Sequence, residues 1–272
     1  MKRLLPVIFL FTIALFGAKS LQNICWANGV KVQSLSSEKS KEIRQIGSFT
    51  ALEVSSAVNV TFRWGSKPVS QLTVIAQQDV MTAVKTKVKN GVLYVSVDGK
   101  HTRMKEPVEV EMTGLIPQTV SLDAASCLFL PEGMKSRTFE ASVSAASELR
   151  WGKTLDVSSL NLNIEAASRL KGDRLKASLI MMEVDASSNL SLNRMESETV
   201  DMELSGASHL EISDLQCTEL SVEASGASSV RLVGKCEAAN LEASDASTIN
   251  AKMLKSRKIT SNTSGCGVVR IP

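Results

Sequence analysis

The chain has 272 residues, with 31 Lys and Arg against 28 Asp and Glu, for a formal charge of +3. Three of the cations, Lys2, Arg3 and Lys19, fall in an export leader, so the remainder is close to neutral. Such a balance gives no overall electrostatic footprint for nucleic acid or an anionic membrane, and 4% aromatics disfavour an aromatic-lined sugar cleft or a base-stacking platform.

Residues 1–27 read as a signal peptide. Lys2 and Arg3 form its basic start, residues 4–17 its apolar stretch, and Ala18-Lys19-Ser20 or Cys25-Trp26-Ala27 its small-residue cleavage site. The apolar stretch is shorter than the ~20 residues of a membrane span. Gln22-Asn23-Ile24 lacks the small residues expected before a lipidated Cys25. No second apolar segment follows, so the mature chain is expected to carry no integral membrane segment.

Residues 28–46 are polar and without period, which predicts a flexible leader. Alternation then begins. Leu52, Val54, Val58, Val60 and Phe62 predict strands around Ser55-Ser56-Ala57, an early copy of the motif described below. Leu72 to Ala76 predicts another strand, Asp79 to Val84 a short helical turn, and Val88 to Val97 a hairpin about Asn90-Gly91. Val108, Val110 and Met112 alternate once more before Pro117. Residues 47–117 are thus read as an irregular β segment at the N-terminal end.

From residue 118 to 272 the chain is a repeat. The signature reads Asp123-Ala-Ala-Ser126, Ser144-Ala-Ala-Ser147, Glu165-Ala-Ala-Ser168, Asp185-Ala-Ser-Ser188, Ser205-Gly-Ala-Ser208, Ser225-Gly-Ala-Ser228, Ser244-Asp-Ala-Ser247 and a degenerate Ser264-Gly-Cys-Gly267. Its fourth positions are 21, 21, 20, 20, 20, 19 and 20 residues apart. A period this regular means a solenoid in which each repeat covers the next. Apolar residues alternate on both sides of the signature: Leu162 with Ile164, Met182 with Val184, Met202 with Leu204 before it, and Leu190 with Leu192, Leu210 with Ile212 after it. Such alternation predicts strands with one buried face. A third inward pair recurs as Leu155 and Val157, Leu175 and Ala177, Met195 and Ser197, Leu215 and Cys217, Leu254 and Ser256. The prediction is an all-β, single-stranded parallel β-helix of about eight to nine coils, each with about three short faces. The small residues of the signature are expected at the bend, with its second position turned inward, which makes Asp245 an anomaly.

The Ser-Gly-Ala-Ser repeats, the strand-rich segment ending in Asn90-Gly91-Val92-Leu93-Tyr94-Val95 and the export signal resemble the auto-transporter adhesin head GIN domain family. The resemblance covers residues 47–271. It implies a β-solenoid head exported to the periplasm or cell surface of a Gram-negative bacterium, in a family without assigned biochemistry. The chain shows no C-terminal translocator barrel after the last repeat, so self-export is not expected.

Three features could carry chemistry. The serine column, Ser126, Ser147, Ser168, Ser188, Ser208, Ser228 and Ser247, lacks the general base a nucleophile needs. Only His101 and His209 exist, and His209 adjoins Ser208 on a strand, where neighbours point to opposite faces. The expectation is a hydroxyl ladder and no catalytic residue. Cys217 and Cys236 each precede their serine by eleven residues, so stacking brings them to ~4.8 Å, within disulfide reach; they are a candidate bond, against a plain pair of inward thiols. Cys127 and Cys266 have no comparable partner. Glu183, Glu203, Glu223 and Glu242 each precede their serine by five and form an outward acidic column, with Asp185 and Asp201 nearby. Oxygen ligands in such a row could hold Ca²⁺, against a plain solvated face; no Gly-Gly-x-Gly-x-Asp loop accompanies them. No cofactor is expected.

The resulting expectation is an exported, non-enzymatic, adhesin-like module binding a surface glycan or protein, with no nucleic-acid partner. Two alternatives stand beside it: a polysaccharide-active β-helix enzyme, and a structural protein that associates end to end through unpaired terminal coils.

Overall fold

The computed structural model describes residues 38–99 and 104–272; the signal peptide, residues 28–37 and His101 lie outside them. Seventeen strands and one 3-10 turn (Met81–Ala83) make an all-β parallel solenoid of about eight turns. The N-terminal strands are β1 (Lys39–Gln45), β2 (Ala51–Val54), β3 (Val58–Trp64), β4 (Gln71–Gln77), β5 (Val84–Lys89), β6 (Val92–Val97) and β7 (Val108–Gly114). The coils continue through β8 (Thr119–Leu122), β9 (Cys127–Leu130), β10 (Gly133–Val143), β11 (Glu148–Ile164) and β12 (Arg169–Val184). They finish with β13 (Asn189–Leu204), β14 (His209–Ala224), β15 (Ser229–Ala243), β16 (Thr248–Thr263) and β17 (Val268–Arg270).

From β8 onward every neighbour is parallel, in register but for a shift at one bend. Leu162, Met182, Met202, Val222 and Leu241 superpose in one file, each at most 1% exposed. A 16-residue strand would run past 50 Å if straight, at ~3.3 Å per residue. It bends instead: between β12 and β13 the ladder skips Asp173 and Ser178, leaving three flat runs per coil. The one-residue differences in repeat length are absorbed at one bend, where register shifts fall between Trp151 and Thr154, Ile212 and Leu215, and Arg231 and Val233.

The signature forms the remaining corner, but not by turning its small residues inward. Its second and third positions are exposed wherever they read Ala-Ala, and only the fourth-position serine is buried. Backbone conformation, rather than interior volume, selects them. From Ala124 to Ser187 both central residues of each turn have φ between 50° and 69°, a type I′ pattern. From Gly206 on, only the first central residue is left-handed, at 68°, 66°, 53° and 61° for Gly206, Gly226, Asp245 and Gly265. That is the type II′ pattern, which asks for Gly at its first centre, and it accounts for the change from Ala-Ala-Ser to Gly-Ala-Ser. Asp245 is therefore an exposed corner residue, held by an N–H of Gly226 donating to its Oδ2 at 3.1 Å.

The N-terminal strands depart from chain order. β2 pairs with both β6 and β8, and β3 with both β7 and β9. The rung β2–β3 thus lies between β6–β7 and β8–β9, with Ser56 and Ala57 making the same left-handed corner. Beyond β6 and β7 the pairing turns antiparallel, with β5 on β6, β4 on β7 and β1 on β4. The β5–β6 hairpin turns at Asn90 and Gly91, both at positive φ. Residues 39–45, expected within a flexible leader, are a strand. Both faces of β1 are largely solvated, so it carries no apolar alternation. What holds it is its ladder to β4, the Arg44 guanidinium donating to the carbonyls of Val84 and Met81, and Lys39 paired with Glu106 and Glu109.

Candidate binding groove

The flank that precedes each signature corner turns the second and fourth residues from the end of the coil's last run outward. In β12 to β15 the second from the end is glutamate, and Glu183, Glu203, Glu223 and Glu242 pair residue for residue. Neighbouring strands lie ~4.8 Å apart, so the four carboxylates form a ladder. With Glu165 and Asp185 they line a groove of about 340 Å³, floored by Val184, Leu204, Ala224 and Ala243 and closed at its upper end by Asn262 and Ser264. No Lys or Arg lines it, and none of the salt bridges among the described residues engages the four glutamates.

Other outward positions bring opposite signs together, with Lys135 on Asp156, Arg194 on Glu196 and Asp214, and Arg231 on Glu211. Two unit charges at ladder spacing repel by about 1 kcal/mol in water and more where solvent is partly excluded. Such a row favours whatever brings hydrogen-bond donors or positive charge. The rim is already engaged: Asp185 Oδ1 accepts from the Ala186 N–H at 2.6 Å and from the Ser205 hydroxyl, and Asn240 donates to Glu242 at 3.2 Å. Asp201 lines a separate depression with Glu219, Asn240 and Lys258. Among the described residues no three Asp, Glu, His or Cys converge as a metal site: a ladder spreads its oxygens along the axis, whereas Ca²⁺ gathers six to eight.

The serine column is buried throughout, at 0–2% exposure. Ser147, Ser168 and Ser188 accept at Oγ from the backbone N–H of Ser126, Ser147 and Ser168 at 3.1, 3.2 and 3.3 Å. Ser228 and Ser247 instead donate to the carbonyls of Ser225 and Ser244 at 2.6 and 2.7 Å. These hydroxyls thus satisfy backbone groups rather than one another, and the exchange of roles follows the change of turn type. Cys217 and Cys236 stand in register on β14 and β15 as free thiols in mutual contact. The adjacent Cys236 thiol, together with burial, pushes Cys217 well above the ordinary thiol range. Burial is the leading cause that pushes the Cys127 thiol up.

The sequence reading identified the glutamate ladder but not the groove. Its upper end is built by Asn262 and Ser264, whose column is recognisable only once coils are stacked. The fold and the corner signature together define a class, the parallel β-solenoid. A family model described as "Putative auto-transporter adhesin, head GIN domain" matches residues 48–213 and 176–272, and the chain belongs to that family. Among solved structures it is similar to a "putative adhesin" from Parabacteroides distasonis, at 14% identity and TM-score 0.69, covering 86% of this chain and 97% of that one. A "putative lipid binding protein" from the same organism aligns at 11% identity and TM-score 0.67, over 88% and 98% of the two chains. A "putative adhesin" from Parabacteroides merdae aligns at 14% and 0.65, over 87% and 97%. At these identities the likeness is one of fold. No curated protein matches the chain.

Proposed function

We propose that the protein is an exported, non-enzymatic, adhesin-like module that binds a glycan or protein at the periplasmic or outer face of the cell envelope. The glutamate groove is its contact face. The observation that carries this is the run of four in-register carboxylates without a salt-bridge partner, lining a groove into which no Lys or Arg of the described residues projects. A ligand presenting ammonium groups or several hydroxyl donors relieves that repulsion and replaces water along the whole row. Glycan and envelope-protein arrays probed with the wild type and with a Glu203→Gln, Glu223→Gln double variant test this. Binding by the wild type that falls at least tenfold in the variant supports the groove; equal binding by both removes it.

A second reading draws on the ladder spacing itself. Neighbouring carboxylates about 5 Å apart match the separation used by retaining glycosidases, which favours a polysaccharide-cleaving enzyme. Against it, the glutamates repeat one environment, whereas that chemistry needs an acid and a nucleophile in different surroundings. Release of reducing ends from envelope polysaccharides, abolished by the same double variant, would establish the enzyme.

A further inference from the structure

Near-neutral overall charge conceals a segregation along the solenoid axis. Residues 248–272, which include the last full coil β16 and the short β17, contain Lys252, Lys255, Arg257, Lys258 and Arg270 and no Asp or Glu. Of these five, only Arg257 forms a salt bridge, with Glu237 one coil below at 3.9 Å, and Lys258 shares a depression with Glu219 and Asp201 of the coils below. The N-terminal end also carries cations and an exposed Ile43, and Lys85, Lys87 and Lys89 there form no salt bridge among the described residues, but its acids are interspersed, with Lys39 held by Glu106 and Glu109 and Arg44 by Glu42. The same last coil exposes apolar side chains: Met253 is 62% exposed, Ile271 43% and Val268 39%. Met253 stacks on Val233, extending an apolar stripe that Lys235 and Lys255 flank. β17 covers only Thr248, Ile249 and Asn250 of β16. The inward file also changes there, with Ser261 succeeding Leu241.

We propose that this end of the solenoid seats on an anionic phospholipid surface. Exposed apolar side chains rimmed by unpaired cations are what an interfacial contact requires: the cations meet lipid phosphates, while Met253 and its neighbours enter the headgroup boundary. A soluble polyanion has use for the cations but not for Met253, and a second copy of the same end would bring ten cations together. End-on seating leaves the glutamates themselves, Glu183 to Glu242, on the flank of the coils below the seated one.

The test is co-sedimentation of the chain from residue 28 with phosphatidylcholine vesicles, with and without phosphatidylglycerol. The leader is omitted because its apolar residues would bind lipid unaided, and residues 35–272 form a compact unit by themselves. Binding only to the anionic vesicles, weakening with salt, is expected. A Lys252→Glu, Lys255→Glu, Lys258→Glu variant should bind about a hundredfold more weakly, from about fivefold per cation. Met253→Ser should bind several-fold more weakly, and Lys85→Glu, Lys87→Glu, Lys89→Glu at the other end should bind as the wild type; unchanged melting of each variant checks folding. No binding to anionic vesicles, or equal binding by the triple Lys252 variant, overturns the proposal. So does full competition by dextran sulfate with no effect of Met253→Ser, which would assign the patch to a polyanion.

Discussion

The amides of Ser187 and Ala207 face one another across a coil boundary, with no backbone carbonyl between them. The N–H of Ala167 donates to the Ala186 carbonyl at 3.0 Å, so that carbonyl points down the axis and the planar peptide turns the Ser187 N–H upward. The N–H of Ala227 donates to the Gly206 carbonyl at 2.7 Å, so the Ala207 N–H points downward. Corner peptides below this boundary all face one way and those above it the other. Both corners are exposed, and water can serve the two donors.

Turn type favours glycine strongly at the first corner centre above that boundary, where Asp245 is the exception, and only mildly below it. A Cβ at Gly226, at φ 66°, would lie 2.5 Å from the Gly206 carbonyl oxygen. Gly226→Ala is expected to cost about 1–3 kcal/mol. Ala145→Gly, at φ 50°, is expected to stabilise by up to about 1 kcal/mol, left-handed strain outweighing the added freedom of the unfolded chain. Urea unfolding of both variants checks the contrast, which requires opposite signs.

Trp151 is 3% exposed because Gly172, its partner in the next coil, has no side chain; a Cβ there would overlap the indole ring. The indole N–H donates to the Arg174 carbonyl at 3.0 Å. Gly172→Leu should cost about 3 kcal/mol or more by overpacking. Adding Trp151→Leu restores an ordinary leucine file with Leu130 and Leu192, and should recover at least half of that loss. Additive effects in the double variant would contradict the pairing.

Cys217 and Cys236 stand in register with their thiols in contact, a placement that allows a disulfide in an oxidising compartment. Protein recovered from an oxidising compartment is expected to show two fewer titratable thiols than the reduced chain after denaturation. Closing a loop of this length contributes about 3 kcal/mol, so reduction, or Cys217→Ser, should lower the melting temperature of the oxidised form by several degrees. A full complement of thiols would show that the pair remains open.

Removing one charge from the middle of the glutamate ladder should stabilise the fold. Glu203→Gln is expected to add up to about 1 kcal/mol at low ionic strength, and the gain should fade as salt screens the row. Since the carboxylates do not converge, the unfolding midpoint should be the same in calcium and in chelator. A calcium-dependent rise that disappears in Glu203→Gln would instead mean that the row gathers an ion.

Much of this was legible in the sequence because a solenoid writes its core once per coil. Leu162, Met182, Met202 and Val222 share a phase, so their file follows from counting, and Cys217 opposite Cys236 follows from the same register. The early copy around Ser55-Ser56-Ala57 was recognisable for the same reason. Chain order could not reveal the interleaving of β2–β3, since β6 and β8 offer the same alternating face and either could be its neighbour. β1 was missed because a strand solvated on both faces has no apolar period. The corner residues were assigned to the interior because small size and left-handed backbone select the same amino acids, and only φ separates them.

The stacking itself is tested most directly by nitroxide labels at Glu203→Cys and Glu223→Cys, with the native cysteines replaced by serine. Residues in register on adjacent parallel strands lie ~4.8 Å apart, which predicts strong spin–spin broadening in the doubly labelled protein, far beyond the sum of the two single labels. Separate three-line spectra, matching the sum of the two single labels, would show that these glutamates do not superpose and would contradict the coil register from which the groove is built.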